Sequence, residues 1–399
     1  MAVFRRLRLL FLLFISCVVF VLFCRIIGLK GTVIPGELSH MRTRITNWAE
    51  NNRSTKVNRT KLILTWGTFK QAKDFGYGKE SFATKCGSDR CELIDDMNRL
   101  SDVACVLFYV KNVTSSTVIP RGVKFTQMFR APGYPVRDDK TQIFVFFHAE
   151  SPTRSRHLPF DRLNDYFNLT MTYLYHPDTD ILISRGVGLM SGSASRDDQV
   201  KLVKAKTKLV AWVVSNCQKP HSIRNRYVKL LSKHIPVDIY GKCATPCNDS
   251  WPSMDCFRNI EKQYKFYLAF ENSLCVDYIT EKAYRTLAMY MVPVVLNGGD
   301  NDKLLPPYSY IDVSHFRSPR HLADYLKRLD SNDEEYMEYF EWKKHYKPKR
   351  GQKHPFCRLC DILHNKDYKY KTYFKPAQYW NESKYCKTTA EEDLLFGEV

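Results

Sequence analysis

The sequence predicts an α/β chain with two parallel-sheet domains, and three observations point there. Short runs rich in β-branched and aromatic residues recur at 61–66, 104–110, 142–147, 208–215, 237–240 and 266–270. Each suits a buried strand. Helical periodicity alternates with these runs, as in 223–231, where Ile223 and Tyr227 lead to Leu230 and Leu231. The stretch 264–299 shows the whole repeat in one place. Strand 266–270 is followed by a polar turn, then by a helix on which Ile279, Ala283, Leu287 and Tyr290 recur. Pro293 is expected to stop that helix before a second strand at 294–296, which Gly298 and Gly299 close. A β-loop-α-β unit implies parallel strands and a right-handed connection.

The polar residues of that unit gather at the carboxyl end of its first strand and the start of its helix, where such units bind ligands. Glu271, Asn272, Asp277, Tyr278, Glu281 and Lys282 all fall there. Asp277 and Thr280 are both placed to cap the helix. A helix start offers unpaired N–H groups and a partial positive charge, and Lys282 adds a full one; together they suit a diphosphate. Glu281 suits ribose hydroxyls. The same residues also make an ordinary capped surface helix with a Glu-Lys pair, and no glycine-rich phosphate loop accompanies them.

The string FYLAFENS…DYITEK…VPVV resembles the signature of the α-1,3-fucosyltransferases, glycosyltransferase family ten, in an invertebrate-like form. The resemblance covers about residues 60–360 and is strongest over 208–345. It implies a GT-B-type fold, two Rossmann-like domains facing across a cleft, with the acceptor on the first and GDP-fucose on the second. The reaction it implies is inverting transfer of L-fucose to the 3-hydroxyl of GlcNAc in N-glycans or related glycoconjugates.

The chain begins with Arg5, Arg6 and Arg8, then sixteen uncharged, mainly apolar residues, 9–24, then Arg25. Arginines that snorkel lengthen such a span to membrane thickness. No small-x-small cleavage site follows, so an uncleaved type II signal-anchor is expected rather than a cleaved signal peptide. The positive flank places 1–8 in the cytosol and the rest in the lumen. The expected order is a cytoplasmic tail (1–8), an anchor (9–29), a stem (30–60), an acceptor-side domain (61–205), a GDP-fucose domain (206–345) and a C-terminal tail (346–399). A Golgi membrane location follows from this order and the resemblance. Six N-x-S/T sequons, at Asn52, Asn58, Asn112, Asn168, Asn248 and Asn381, agree with a luminal chain.

Net charge is +19, and five of those charges lie in the acid-free first thirty residues, leaving +14 for the remainder. A basic surface attracts nucleotide diphosphates, acidic glycans, lipid headgroups or nucleic acid. No nucleic-acid motif accompanies it, which argues against a nucleic-acid partner. Thirteen cysteines point to an oxidising compartment. The Cys357-x-x-Cys360 pair has no redox context and no clear second half of a zinc site, so structural disulfides are expected. The resemblance implies that Cys357 and Cys360 bond back to Cys86 and Cys91. The odd luminal count leaves at least one thiol free or paired with another chain.

In the first domain, strand 142–147 runs into His148-Ala149-Glu150-Ser151-Pro152. A carboxylate at a parallel strand's end is well placed for general-base work if partly desolvated. The string resembles the family's ESP element, which implies that Glu150 activates the acceptor hydroxyl. His148 is a weaker candidate. Asp178-Thr179-Asp180 matches a D-x-D, though a turn or capping role fits better than a metal site. The surrounding segment departs from the family, with Leu174 and Tyr175 where arginine often stands.

In the second domain, strand 208–215 ends in Ser215-Asn216, and Arg224 and Arg226 start the next helix. Arginines on a helix are most often solvent-facing. The resemblance implies that Arg224, with Arg226 beside it, clamps the donor diphosphate. It also implies that Lys282 stabilises the departing GDP, that Tyr278 and Glu281 hold the nucleotide and ribose, and that Glu271 contacts the fucose, with Asn272 nearby. No metal site or obligate cofactor is expected; Mn²⁺ or Mg²⁺ enter only as stimulants that screen the diphosphate. Two other classes stay open: a catalytically silent, membrane-anchored glycan- or nucleotide-binding protein of the same fold, and a structural luminal protein. The oligomeric state is not readable from the sequence.

Overall fold

The computed structural model describes residues 60–67, 69–110, 134–135, 141–155, 158, 160–183, 187–189, 196–216, 222–242, 244–246, 254–348 and 354–397. The expected anchor and stem, and the sequons at Asn52, Asn58, Asn112 and Asn248, lie outside them. Among the described residues no helix is long and apolar enough to cross a membrane.

Strands β1 (Lys61–Trp66), β2 (Cys91–Ile94), β3 (Cys105–Tyr109), β4 (Ile143–His148), β5 (Leu169–Thr172) and β6 (Ile181–Leu182) form one sheet in the order β2-β1-β3-β4-β5-β6. Every pairing in it is parallel. After β7 (Val187–Leu189), strands β8 (Lys208–Val213), β9 (Val237–Tyr240), β10 (Tyr264–Phe270), β11 (Val292–Leu296) and β12 (Ile311–Asp312) form a second parallel sheet, ordered β12-β11-β10-β8-β9. A last strand, β13 (Tyr346–Pro348), pairs antiparallel with β7.

Parallel strands are covered on both faces, which explains why the central runs are apolar throughout. In β4, Phe144 and Phe146 join one core with Trp66 and Phe108, while Val145 and Phe147 join another with Phe75 and Phe82. In β10, Phe266, Leu268 and Phe270 pack on one side and Tyr267 and Ala269 on the other. Pro293 does not end the helix as expected. The helix runs Glu281–Leu287, and Pro293 lies inside β11 opposite Tyr267. Its missing N–H is tolerated on a strand whose outer neighbour, β12, pairs only with Val294 and Val295.

The tail covers more than the sequence predicts. Helix Pro355–His364 is bolted to the first sheet by the disulfides Cys86–Cys357 and Cys91–Cys360. Phe374, Tyr379 and Trp380 then cross to the sheet's other face. A third disulfide, Cys275–Cys386, fastens the chain to the loop after β10, and Leu395 and Phe396 enter the second sheet's core. Cys105 is a free, buried thiol.

Candidate functional site

The two sheets meet through loops that leave the carboxyl ends of β4 and β10. Beyond β4, Glu150 is half-buried, and its backbone N–H donates to His148 Nδ1 at 3.1 Å. Beyond β10, the loop 271–280 carries most of the polar residues picked out from the sequence. The junction is made of hydrogen bonds: Ser151 Oγ donates to Ser273 Oγ at 2.9 Å, and Thr153 Oγ1 and Ser273 Oγ lie 2.7 Å apart. Asn272 Nδ2 donates to Glu150 Oε2 at 3.3 Å, and Tyr278 Oη donates to the same oxygen at 3.2 Å. Glu150 Oε1 accepts no hydrogen bond among the described residues.

Tyr278 therefore faces the Glu150 carboxylate of the first sheet. Its ring centroid is 4.9 Å from that of Tyr173. Burial first, and then the charges of Glu150 and Glu271, push its phenol well above the ordinary tyrosine range, so it stays a proton donor. His148 is fully buried, with its ring 5.1 Å from that of Trp380, and serves as packing and as an anchor for the Glu150 backbone.

Glu271 is 1% exposed. Its Oε1 accepts from Thr280 N–H and Thr280 Oγ1, both at 2.8 Å, and its Oε2 accepts from Lys282 Nζ at 2.6 Å. The sequence suggested that the helix start would hold a diphosphate and that Glu271 would face the sugar. Instead the anion at that helix start is Glu271 itself, because a buried carboxylate needs a cation and donors of its own. Asp277 caps nothing there; its carboxylate accepts from Tyr175 N–H at 3.0 Å. Lys282 Nζ also donates to Thr280 Oγ1 at 2.8 Å, and its third direction faces Glu281 Oε1 at 3.9 Å. Burial pulls the Lys282 pKa down, but Glu271 and then Glu281 pull it up further, and the net shift is upward. Glu281 remains partly exposed on the outer side of this pair.

Arg224 lies on helix Ile223–Leu231 and is buried, with its guanidinium 6.0 Å from the Trp212 ring centroid. Its Nε has no hydrogen-bond partner among the described residues. Arg226, two residues on, is taken up elsewhere: it pairs with Asp393 at 2.8 Å and covers the Phe396 ring at 4.4 Å. Expected as a donor contact, it instead holds the tail, because it leaves the helix on the side where the tail returns. Ser215 and Asn216 follow β8 and are half-buried.

The D-x-D aspartate Asp180 accepts from Thr170 N–H at 2.7 Å, from Tyr368 Oη at 2.6 Å and from Lys371. It ties the tail to β5. The Asn168 side chain accepts from Phe144 N–H at 3.0 Å and donates to Lys371 O at 3.2 Å, so this sequon asparagine is part of the framework. Asn381 is exposed. Sequence reasoning missed Ser273, Trp212, Tyr173 and Arg154. Arg154 is four residues after Glu150, and its Nε is buried without a partner among the described residues. Only its closeness to Glu150 in the chain would have marked it.

A family model described as "Fucosyltransferase, N-terminal" matches residues 58–186, and one described as "Glycosyltransferase family 10 (fucosyltransferase) C-term" matches residues 203–380. A 4-galactosyl-N-acetylglucosaminide 3-alpha-L-fucosyltransferase of Gorilla gorilla gorilla is 42% identical over 223 residues, which is 55% of this chain and 57% of that protein. An alpha-(1,3)-fucosyltransferase C of Drosophila melanogaster is 36% identical over 260 residues, 60% of this chain and 59% of that one. The match thus spans less than two thirds of either relative. A crystal structure of an alpha1,3-fucosyltransferase is 17% identical with a TM-score of 0.49, covering 80% of this chain and 94% of that one.

Proposed function

This chain belongs to glycosyltransferase family 10, and from that premise we propose that it transfers L-fucose from GDP-β-L-fucose to the 3-hydroxyl of a GlcNAc-containing glycan, with inversion. The acceptor lies over the first sheet and the donor over the second, in a GT-B-type arrangement. One observation carries this reading. Glu150 presents an oxygen, Oε1, that no described residue occupies, while donors from the other sheet hold its second oxygen in place. A carboxylate so held is pre-oriented to take a proton. In the step itself, Oε1 removes the acceptor hydroxyl proton as that oxygen bonds to the fucose anomeric carbon. The bond from that carbon to the β-phosphate oxygen breaks, and GDP leaves with the electron pair.

Arg224, buried and without a carboxylate partner among the described residues, stabilises the charge that grows on GDP. Lys282 contributes from its place beside Glu271, and Glu281 accepts from the ribose. These protein charges make a resident metal unnecessary and leave Mn²⁺ or Mg²⁺ as stimulants. The relatives' names support a GlcNAc-based acceptor. The Arg-flanked apolar stretch 9–24 supports anchorage in a Golgi membrane with the remainder luminal.

The test is labelled fucose transfer to a panel of GlcNAc-containing acceptors by the full chain in detergent, with and without EDTA, beside Glu150→Gln. The expected result is transfer to a 3-hydroxyl, reduced roughly 10²–10⁴-fold in the variant with GDP affinity retained. A wild-type chain that binds GDP yet transfers to no acceptor would favour the silent binder.

A further inference from the structure

Arg154 has no part in the mechanism above, yet it stands at the junction of the two sheets. It ends the short turn Pro152–Arg154 that follows Glu150, and its backbone N–H donates to Ser151 O at 3.0 Å. That turn is fastened to the opposite sheet, since Ser151 and Thr153 both bond Ser273. The Arg154 Nε is buried and has no hydrogen-bond partner, and no carboxylate among the described residues forms an ion pair with its guanidinium. Arg224 repeats the pattern from the second sheet, at 8% exposure with its own Nε unbonded.

Removing the Arg224 guanidinium from water without a counter-ion is costly, and the part-buried Arg154 held near it adds repulsion. The two sense each other: burial lowers the Arg224 pKa, Glu271 and Tyr278 oppose it, and Arg154 lowers it further. Glu271 offsets part of this charge from a distance, but its hydrogen bonds go to Thr280 and Lys282 and to neither guanidinium. Two arginines without a carboxylate partner among the described residues, one on the turn after Glu150 and one on helix Ile223–Leu231, make a positive pair that suits a dianion.

We propose that Arg154 and Arg224 grip the donor diphosphate together, one arginine from each sheet, with Arg154 supplying the phosphate contact from the acceptor side. This rests on the GDP-fucose reading above. Guanidinium groups suit this role because their planar forks match phosphate oxygens in pairs. A consequence is that the diphosphate bridges the same seam that Ser273 already closes, so the donor ties the turn that follows Glu150 to its own sheet.

The test is calorimetric titration of the full chain with GDP, inorganic pyrophosphate and guanosine, on wild type, Arg154→Ala and Arg154→Lys. Expected for Arg154→Ala is a loss of GDP and pyrophosphate affinity of about ten- to a hundred-fold, with guanosine unchanged and part of the loss recovered by lysine. Its melting temperature without ligand should hold or rise, because a repulsive charge is gone, while the rise on adding GDP shrinks. Unchanged GDP affinity in Arg154→Ala would overturn the inference and leave the donor reading standing. So would an equal loss for guanosine with a lower ligand-free melting temperature, which marks a structural arginine. A wild-type chain that binds no GDP would overturn the donor reading, and this inference with it.

Discussion

Replacing Lys282 by methionine tests how the β10 loop is held. The substitution keeps the volume and removes the charge, leaving Glu271 buried with only its two bonds from Thr280. Breaking a buried pair costs about 3–5 kcal/mol. Two features lower that figure here: the Lys282 side chain is 21% exposed, and Thr280 keeps donating. The expected loss is therefore about 2–3 kcal/mol at pH 7. At about 2.1 cal/mol/K per residue over the body Thr60–Val399, that lowers the melting temperature by about 3–4 °C.

The Lys282 pKa is raised in the folded chain, so its contribution is complete below the free lysine value and disappears only as pH rises through the folded one. The assay is thermal unfolding at pH 7 for Lys282→Met, Glu271→Gln and the double variant. Because the partners touch, the double should lose less than the two singles combined. Single losses that simply add would refute the pairing.

Lys206 is buried, donates to Tyr264 O at 2.9 Å, and has its pKa lowered to about 8, chiefly by burial, with Glu261 opposing and Lys265 adding. The unfolded chain binds this proton more tightly, so stability should rise with pH from about 8 towards the free lysine value. Lys206→Met should flatten that rise in a pH series of melting curves. A Cβ on Gly298 would sit 2.5 Å from Leu274 C and 2.6 Å from Cys275 N, whereas on Gly299 the nearest atom is at 3.4 Å. Gly298→Ala should therefore cost about 1–3 kcal/mol and weaken GDP binding by titration, while Gly299→Ala does neither. Replacing Cys275 and Cys386 by alanine should cost about 2–4 kcal/mol in thermal unfolding and also loosen GDP binding, because Cys275 lies on the loop that carries Glu271, Asn272 and Tyr278.

What was legible in the sequence was local. The runs at Lys61–Trp66 and Val237–Tyr240 are strands with the bounds their composition suggests; in the first, Ile63 to Trp66 are buried in succession, as in a strand covered on both faces. Pro293 misled because a breaker in a helix is tolerable in a strand with a short outer neighbour. Arg224 and Arg226 look alike in sequence, and only the packing separates a buried cation from one that holds Phe396. The Glu271–Lys282 pair stayed hidden because it depends on the loop turning Thr280 back onto the strand end. The tail was least legible of all. Its contacts, such as Lys371 with Asp180 and Trp380 Nε1 with Ser155 Oγ at 3.2 Å, join residues about two hundred positions apart without any period to announce them.

That tail sets an order on biosynthesis. Residues 354–397 leave the ribosome after both sheets have been made, yet they supply Phe356, Leu359, Phe374 and Trp380 to the two cores of the first sheet. They also supply Cys357, Cys360 and Cys386 to three disulfides. The first half must therefore wait with aromatic faces uncovered and thiols unpaired until translation is nearly finished. During that interval it is exposed to chaperones, oxidases and premature thiol pairing. A nascent chain arrested before residue 355 would bear Glu150, Arg224 and Lys282 and still lack the cover that holds them in one site.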